Sequence, residues 1–145
     1  MNMSIHQLSV FLENRTGQLA QITRLLAENA IDIRAISIAE TADYGLARMI
    51  VDDCPKASQV LLEHGDILSM TPVWAVEVPD RPGGLAELLG ALAEKGVDVE
   101  YMYSLFVHKD GCAYMVLRIS DEAAFNAAME AHHIKVVTSG DLGIR

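Results

Sequence analysis

The chain has 145 residues, of which 51% are hydrophobic and 21% are charged, a composition typical of a globular protein with an apolar core. Its 11 Lys and Arg residues against 20 Asp and Glu give a formal net charge of −9, which argues against nucleic acid and anionic membranes as partners. No apolar run reaches the roughly 20 residues of a transmembrane helix, and the N-terminal residues lack the pattern of a signal peptide. We therefore expect a cytoplasmic protein whose two cysteines are reduced.

Hydrophobic periodicity divides residues 5–70 into six secondary-structure elements. Residues 5–12 alternate between apolar and polar side chains, which predicts a half-buried strand. After a turn at 14–17, apolar residues recur at a spacing of three to four, which predicts an amphipathic helix. The other four predicted elements are a strand at 31–38, a strand at 46–51 after a hairpin turn at 41–45, a helix that begins near Pro55 and ends near Gly65, and a strand at 67–70.

The same pattern begins again after Pro72, which predicts one unit at residues 1–70 and a second at residues 71–145. A shift of 66 positions, applied without a gap, pairs Arg15 with Arg81 near the unit starts and Gly45 with Gly111 in the hairpins. The second copy is predicted to contain a strand at 73–78, a helix that ends near position 96, a strand at 97–107, a hairpin turn at 108–111, a strand at 112–119, a helix at 121–131 and a strand at 134–137. Residues 139–145 show no periodicity.

Two consecutive βαββαβ units predict an α+β protein. Each unit is expected to adopt a ferredoxin-like fold, an antiparallel four-stranded sheet with both helices on one face. Such a sheet has one uncovered face, and a unit of about 70 residues has a small hydrophobic core. We therefore expect the units to pair, and we expect two chains to form a homodimer.

The turn between the first strand and the first helix of each unit is the candidate binding site. It reads Asp80-Arg81-Pro82-Gly83-Gly84-Leu85-Ala86 in the second unit and Asn14-Arg15-Thr16-Gly17-Gln18-Leu19-Ala20 in the first. Backbone N–H groups at a helix N-terminus can hold a carboxylate, and Asp80 or Asn14 can accept a hydrogen bond from an ammonium group. The alternative is structural: Asp80 and Asn14 only cap the turn, the arginines are solvated, and the glycines serve backbone geometry.

With these motifs, the chain resembles a tandem ACT-domain protein over nearly its whole length. ACT domains are small βαββαβ modules that bind amino acids and regulate metabolic enzymes. The resemblance rests on the turn at 80–86, on residues 93–99 after the helix, and on the Gly111 hairpin. The first copy departs from the family pattern at Thr16, where the family usually has Pro, and at Ala30, where it usually has Gly.

The resemblance implies a non-catalytic, allosteric regulatory protein that binds an amino acid or a similar small carboxylate. In the family, such sites lie at the seam between two ACT units, where the loop after the first strand of one unit faces the helix-to-strand segment of its neighbour. Carried onto the first unit of this chain, the implied ligand-binding residues are Asn14, Arg15, Thr16, Gly17, Gln18 and Leu19 in the loop, and Ile31, Asp32 and Ile33 in the segment. Those of the second unit are Asp80, Arg81, Pro82, Gly83, Gly84 and Leu85 in the loop, and Val97, Asp98 and Val99 in the segment. A regulated metabolic enzyme would be a separate chain.

The sequence contains no pattern of a catalytic or metal site, so we expect no cofactor and no enzymatic activity. The histidines lack ligand spacing such as HxxxH, the cysteines form no CxxC, and glycine motifs that bind phosphate are missing. Two alternatives to an amino-acid sensor stay open. One is a ligand-free protein–protein module that acts as the regulatory subunit of a separate enzyme. The other is an enzyme on a ferredoxin-like fold, which the missing acid–base residues disfavour.

Overall fold

The computed structural model describes residues 3–13, 15–40 and 43–145, which form two compact units. The first unit comprises His6–Thr71 together with Gly143–Arg145. The second comprises Pro72–Leu142 together with the described residues up to Ile5. The predicted hairpin turn at 41–45 lies partly outside the described residues, because positions 41 and 42 do.

The first unit follows the order strand, helix, strand, strand, helix, strand. Its elements are β1 (Ile5–Leu12), α1 (Gln18–Glu28), β2 (Ile33–Glu40), β3 (Gly45–Val51), α2 (Cys54–His64) and the first part of β4 (Leu68–Pro79). The strands lie in the order β2-β3-β1-β4, and β3 runs antiparallel to both β1 and β2. This connectivity is the ferredoxin-like split βαβ predicted from the sequence.

The second unit repeats this arrangement. The rest of β4 is followed by α3 (Gly84–Glu94), β5 (Val99–Ser104), β6 (Cys112–Ile119), α4 (Glu122–Ala131) and β7 (Val136–Val137). The strands lie in the order β7-β4-β6-β5, and β6 runs antiparallel to β4 and β5. The prediction that the strand at 97 extends to Val107 is wrong. β5 ends at Ser104 because the chain then enters a long hairpin loop, in which Phe106 is 61% exposed.

Each unit has its own hydrophobic core between its helices and one face of its sheet. In the first unit, Ile22 and Leu26 of α1 and Leu61 of α2 pack in one cluster with apolar side chains of β1 and β3. In the second, Leu88 and Leu92 of α3 belong to a cluster with the buried residues of β4, β6 and α4. The apolar stripes that predicted the helices are therefore the faces that build the cores.

One strand, β4, crosses the boundary between the units. The sequence predicted one strand at 67–70, a break at Pro72 and a new strand at 73–78. That break is wrong, because β4 extends without interruption from Leu68 to Pro79. Proline has no N–H and is tolerated in a strand where no ladder hydrogen bond is required. Pro72 stands at the unit boundary, and regular pairing with β6 begins only at Trp74.

The β2–β3 hairpin and its counterpart, the β5–β6 hairpin, differ in length by two residues. Leu8 of β1 pairs with Met49 of β3. Trp74, which lies 66 positions after Leu8, pairs with Leu117, which lies 68 positions after Met49. The gapless shift of 66 is therefore correct before the hairpin and wrong beyond it, so the two hairpin glycines that it pairs are not equivalent. Hairpin loops tolerate such insertions because extra loop length costs little entropy.

The C-terminal residues form a short helix and then join the first unit. The helix α5 (Ser139–Leu142) begins with a capping box: the Asp141 carboxylate accepts from the N–H of Thr138 at 3.0 Å, and the Thr138 hydroxyl oxygen accepts from the N–H of Asp141 at 3.2 Å. Beyond it, the N–H of Arg145 donates to the carbonyl oxygen of Asp52 at 2.8 Å. The lack of periodicity at 139–145 therefore does not mean a lack of structure.

Candidate functional site

The two predicted binding loops lead into helices that no side chain of the described residues caps. α1 and α3 begin after Gly17 and Gly83, whose φ angles of 85° and 89° lie in the left-handed region that favours glycine. By contrast, Asp53 caps α2 and Asp121 caps α4, each by accepting from a backbone N–H of the first turn. The N–H groups at the starts of α1 and α3 therefore suit an anion from outside the chain.

In the second unit, residues 80–84 form a tight turn between β4 and α3. The N–H of Gly84 donates to the carbonyl oxygen of Arg81 at 3.0 Å. A side chain has no room at Gly84, because a Cβ there would collide with the carbonyl oxygen of Pro79. The Arg81 guanidinium donates to both carboxylate oxygens of Glu87, at 2.9 and 3.2 Å. The other predicted residues of this loop are exposed: Asp80, Pro82, Gly83 and Leu85.

The loop of the first unit holds its arginine differently. Arg15 Nε lies 3.7 Å from Glu13 Oε2, and both side chains are more than half exposed. The glutamate that binds Arg81 in the second unit is replaced by Gln21 in the first. Arg15 is therefore paired with the residue before the turn rather than with the helix after it. The predicted ligand residue Asn14 lies outside the described residues.

Gln18, the first residue of α1, is the buried member of this loop. It is only 7% exposed, and its side-chain oxygen Oε1 has no hydrogen-bond partner among the residues that the structure describes. A buried polar atom without a partner costs about 1–3 kcal/mol. The neighbouring loop residues are exposed or half-buried: Thr16, Gly17 and Leu19. At this position the second unit has Gly84, which has no side chain at all.

The two helix-to-strand segments have matching hydrogen bonds. The N–H of Asp32 donates to the carboxylate of Asp52 at 2.9 Å, and the N–H of Asp98 donates to the hydroxyl oxygen of Ser120 at 3.0 Å. Both aspartates are exposed. The flanking predicted residues are buried or half-buried parts of the unit cores: Ile31, Ile33, Val97 and Val99. A ligand at either segment would therefore contact the aspartate or the main chain.

Within one unit, the loop and the segment lie at opposite ends of a helix. α1 and α3 each have 11 residues, which at 1.5 Å per residue correspond to about 16 Å. No unit therefore brings its own loop and segment together. An amino acid held by the loop would need the other half of its site from a neighbouring unit.

A cleft of about 250 Å³ adjoins the loop of the second unit. It lies between the end of β4, the start of α3 and the turn from α4 to β7, and Gly84, Glu87 and His133 contribute to its lining. His132 also lines it, and its Nε2 lies 2.7 Å from Glu94 Oε2. The cleft therefore combines an uncapped helix start with imidazole and carboxylate groups.

The equivalent cleft in the first unit is smaller, about 110 Å³, and is lined mostly by charged and polar residues. Glu13, Arg15 and Gln18 come from the loop side, and His64 and Asp66 come from the end of α2 and the turn after it. The Asp66 side chain is only 8% exposed, and its Oδ2 lies 2.8 Å from His64 Nδ1. This cleft therefore contains two largely buried oxygen-bearing side chains.

The cleft residues that follow the second helix of each unit were not identified from the sequence. His132 and His133 were interpreted as surface residues, and both are indeed exposed. Their position beside the loop arises only from the fold, because the loop lies far away along the chain. One signal was available: His64 is the last residue of α2 and His132 directly follows α4, 68 positions apart, as the hairpin offset requires.

A profile of the ACT domain pair family matches residues 3–142. The chain belongs to this family. Among solved structures, a protein from Bacteroides thetaiotaomicron is 36% identical with a TM-score of 0.89, and the match covers 97% of this chain and 96% of that one. The regulatory subunits of aspartate kinase from Thermus thermophilus, in ligand-free form, and from Thermus flavus share the fold, with TM-scores of 0.68 and 0.60, 17% and 19% identity, and coverage of 91% of this chain and 92% of theirs. No curated protein matches the chain.

Three further features of this ACT domain pair bear on its chemistry: possible metal sites, possible membrane-spanning helices and the two cysteines. In residues 3–13, 15–40 and 43–145, no cluster of three or more His, Cys, Asp or Glu residues is arranged to hold a metal ion. The helices in those ranges are all too short or too polar to cross a membrane. Burial raises the pKa of the Cys54 thiol, whereas Cys112 is half-buried at the start of β6.

Proposed function

We propose that this ACT domain pair is a regulatory protein that binds a free amino acid, or a similar small carboxylate, through the loop of its second unit. The observation that carries the proposal is the start of α3 after Gly83, which no side chain of the described residues caps, whereas aspartates cap α2 and α4. The ligand carboxylate accepts from N–H groups in the first turn of α3 beyond that of Gly84, which donates to Arg81. The exposed Asp80 accepts from the ligand ammonium group.

The second half of the site comes from the helix-to-strand segment of a neighbouring ACT unit. The 16 Å length of α3 supports this, because it separates the loop of each unit from its own segment. A homodimer supplies such neighbours. Leu85 and Leu89 on α3 are 43% and 36% exposed, and they are apolar surface that a partner would cover. Sedimentation analysis of the full chain tests the dimer.

The regulated partner is proposed to be a metabolic enzyme on a separate chain. The likeness in fold to the regulatory subunits of aspartate kinase supports this role, since those chains are also about as long as this one. Ligand binding changes the equilibrium between arrangements of the ACT units, by as much as the ligand's affinity differs between them. The protein itself performs no chemistry in this proposal.

A ligand-free docking module is the second candidate. The observation that favours it is the long β5–β6 hairpin, where Phe106 and Val107 are 61% and 41% exposed. Large apolar side chains at an exposed loop tip are typical of contact surfaces. In this case Phe106→Ser would abolish binding of the enzyme, whereas changes in the α3 loop would leave it intact.

Thermal unfolding of the full chain with each common amino acid at millimolar concentration tests the proposed function. A ligand at 100 times its Kd stabilises the folded state by about 2.7 kcal/mol, which raises Tm by several degrees. Gly83→Asp places a negative charge at the helix start and should abolish this rise. Gly143→Asp is the matched control, because Gly143 also has a positive φ angle, 64°, and open space around it, and it is grouped with the other unit. A Tm that no amino acid raises, or an equal rise in both variants, contradicts the proposal.

A further inference from the structure

Met70, near the start of β4, places a thioether against a buried thiol of the first unit. Its Sδ accepts from the Cys54 thiol, with 3.4 Å between the two sulfur atoms. The Ser58 hydroxyl donates to the same Sδ at 3.8 Å. Cys54 and Ser58 are four residues apart on α2 and therefore lie on the same side of the helix. In this way Met70 contacts the first two turns of α2 through one sulfur atom.

The two residues of this sulfur contact differ in their access to solvent. Met70 is 53% exposed, whereas Cys54 is 1% exposed and belongs to the core cluster of the first unit. Because an exposed methionine touches a buried cysteine, the methionine lies on the solvent side of the thiol. A reagent in solution therefore meets the thioether before it meets the thiol.

Among the methionines in the described part of the chain, Met70 is the only one that is mostly exposed. Met49 and Met129 are 0% and 2% exposed, and they pack in the cores of the two units. Met102 and Met115 are half-buried against the core of the second unit. Oxidation of a methionine requires access to its sulfur, so Met70 should react before the others.

The folded protein protects Cys54 from the same reagents. Burial raises the pKa of its thiol, and the hydrogen bond with Ser58 opposes this rise. The thiol therefore stays protonated at neutral pH, which makes it a hydrogen-bond donor to Met70 and a poor nucleophile. Of the two sulfur atoms, the thioether is the one that an oxidant in solution can attack.

Oxidation of Met70 requires only a peroxide from solution. A lone pair on Sδ attacks one peroxide oxygen, the O–O bond breaks, an S–O bond forms, and the other oxygen leaves as water. The sulfur loses two electrons to the peroxide and becomes a sulfoxide. Because a sulfoxide carries its negative charge on oxygen, Sδ stops accepting from the Cys54 thiol. The 3.4 Å between the two sulfur atoms also leaves no room for an oxygen atom between them.

We propose that Met70 is a site of oxidation by hydrogen peroxide, and that its sulfoxide breaks the contact with Cys54 and uncovers this thiol. The change is reversible, because methionine sulfoxide reductases restore the thioether. Both residues lie in the first unit and outside the α3 loop. The inference therefore does not depend on whether that loop binds an amino acid.

The test treats the full chain with hydrogen peroxide, removes the peroxide, and measures alkylation of Cys54 by iodoacetamide. Peptide mass spectrometry follows each methionine and separates Cys54 from Cys112. Met70 should oxidise before Met102 and Met115. Cys54 should then be alkylated about fivefold faster, the factor in a local opening equilibrium that corresponds to one lost hydrogen bond. Methionine sulfoxide reductases should restore the slow rate.

Two substitutions at Met70 separate oxidation from other effects of peroxide. Met70→Leu keeps an apolar side chain over Cys54 but cannot be oxidised, so peroxide should not change its Cys54 alkylation rate relative to its own untreated sample. Met70→Gln introduces a polar group without any oxidant and should raise that rate by itself. Met102→Leu is the matched control, because it removes a half-buried methionine of the other unit and should respond to peroxide as the wild type does.

Three results overturn the inference. In the first, Met70 oxidises no faster than the half-buried Met102. In the second, complete oxidation of Met70 leaves the alkylation rate of Cys54 unchanged. In the third, peroxide accelerates this alkylation in Met70→Leu as much as in the wild type.

Discussion

The two units of this ACT domain pair share a fold but differ at the first residue of their first helix. Gln18 places a buried amide beside a small, charged cleft, whereas Gly84 lets the backbone approach Pro79 closely and leaves a larger cleft. The arginine three residues earlier differs too, since Arg81 binds α3 and Arg15 binds the residue before its turn. One turn geometry therefore supports two different surfaces for a ligand.

The largest expected effect comes from filling the close approach in the second unit. Gly84→Ala would place a methyl group against the carbonyl oxygen of Pro79, which must then move, so we expect a loss of about 1–3 kcal/mol in the free energy of unfolding. Urea denaturation followed by the fluorescence of Trp74, the single tryptophan and a residue of this core, measures it.

Gly90→Ala is the control for this change, because Gly90 lies on α3 with open space around it. Alanine is the better helix former, so this variant should gain about 0.5–1 kcal/mol. If both variants gain stability, the close approach at Gly84 does not distinguish the two units.

A smaller effect is expected where the first helix of each unit ends. Ala30 has a φ angle of 58°, and Gly96, 66 positions later, has 69°. Gly96→Ala should lower the stability of the second unit by about 1 kcal/mol, because a Cβ is disfavoured in this conformation. Ala30→Gly should stabilise the first unit by less than that, since glycine also gains freedom in the unfolded chain. Hydrogen exchange resolved by residue measures both units in one experiment. A loss of protection in Ala30→Gly would show that the first unit has adapted to alanine.

The smallest expected effect concerns Asp141, which the first unit has no counterpart for. Hydrogen bonds from Thr138 hold the pKa of this carboxyl below its ordinary value. A lowered folded pKa means that the contribution to stability is present at neutral pH and is lost as the pH falls below about 4. Asp141→Ala should therefore speed amide exchange of residues 142–145 at neutral pH and change little in acid. Asp110→Ala, at an exposed hairpin, should change it at neither pH. Equal exchange in Asp141→Ala and the wild type at neutral pH would contradict the role of this cap.

Most of the fold was accessible from the sequence because its signals are local. The 3.6-residue periodicity of α1 and α3 and the alternation of β1 follow from which side chains face the core, as Leu8 and Val10 do. The prediction that β1 is only half-buried is wrong, because Gln7 and Ser9 on its other face are 0% and 6% exposed. The hairpin offset was not accessible, because the extra residues lie in a loop whose length leaves no periodic signal. The strand break predicted at Pro72 was wrong for another reason. Proline interrupts regular pairing locally, but β4 continues through it. At the C-terminus, the spacing of Thr138 and Asp141 was a capping signal that periodicity alone does not detect.

The two strand-to-helix turns were located from the sequence, but the adjoining clefts were not, and ligand binding by the turns stays a prediction. Glycines at a strand-to-helix junction are visible in any sequence, and the left-handed φ angles of Gly17 and Gly83 are what the structural alternative, in which the glycines serve backbone geometry, requires. The cleft residues His64 and Asp66 come from the other end of the unit's sequence. Their meeting with Gln18 depends on how α2 returns to the sheet, which no local pattern encodes.

The grouping of the chain ends with the opposite units has a practical consequence for dissection. A cut between Thr71 and Pro72 would divide β4 in two. A fragment of residues 6–71 would lack Gly143–Arg145, and a fragment of residues 72–142 would lack the N-terminal residues that group with it. Neither half would thus be a complete module, although each carries a full set of helices. The two units are therefore better expressed, or fused to another protein, together as the full chain.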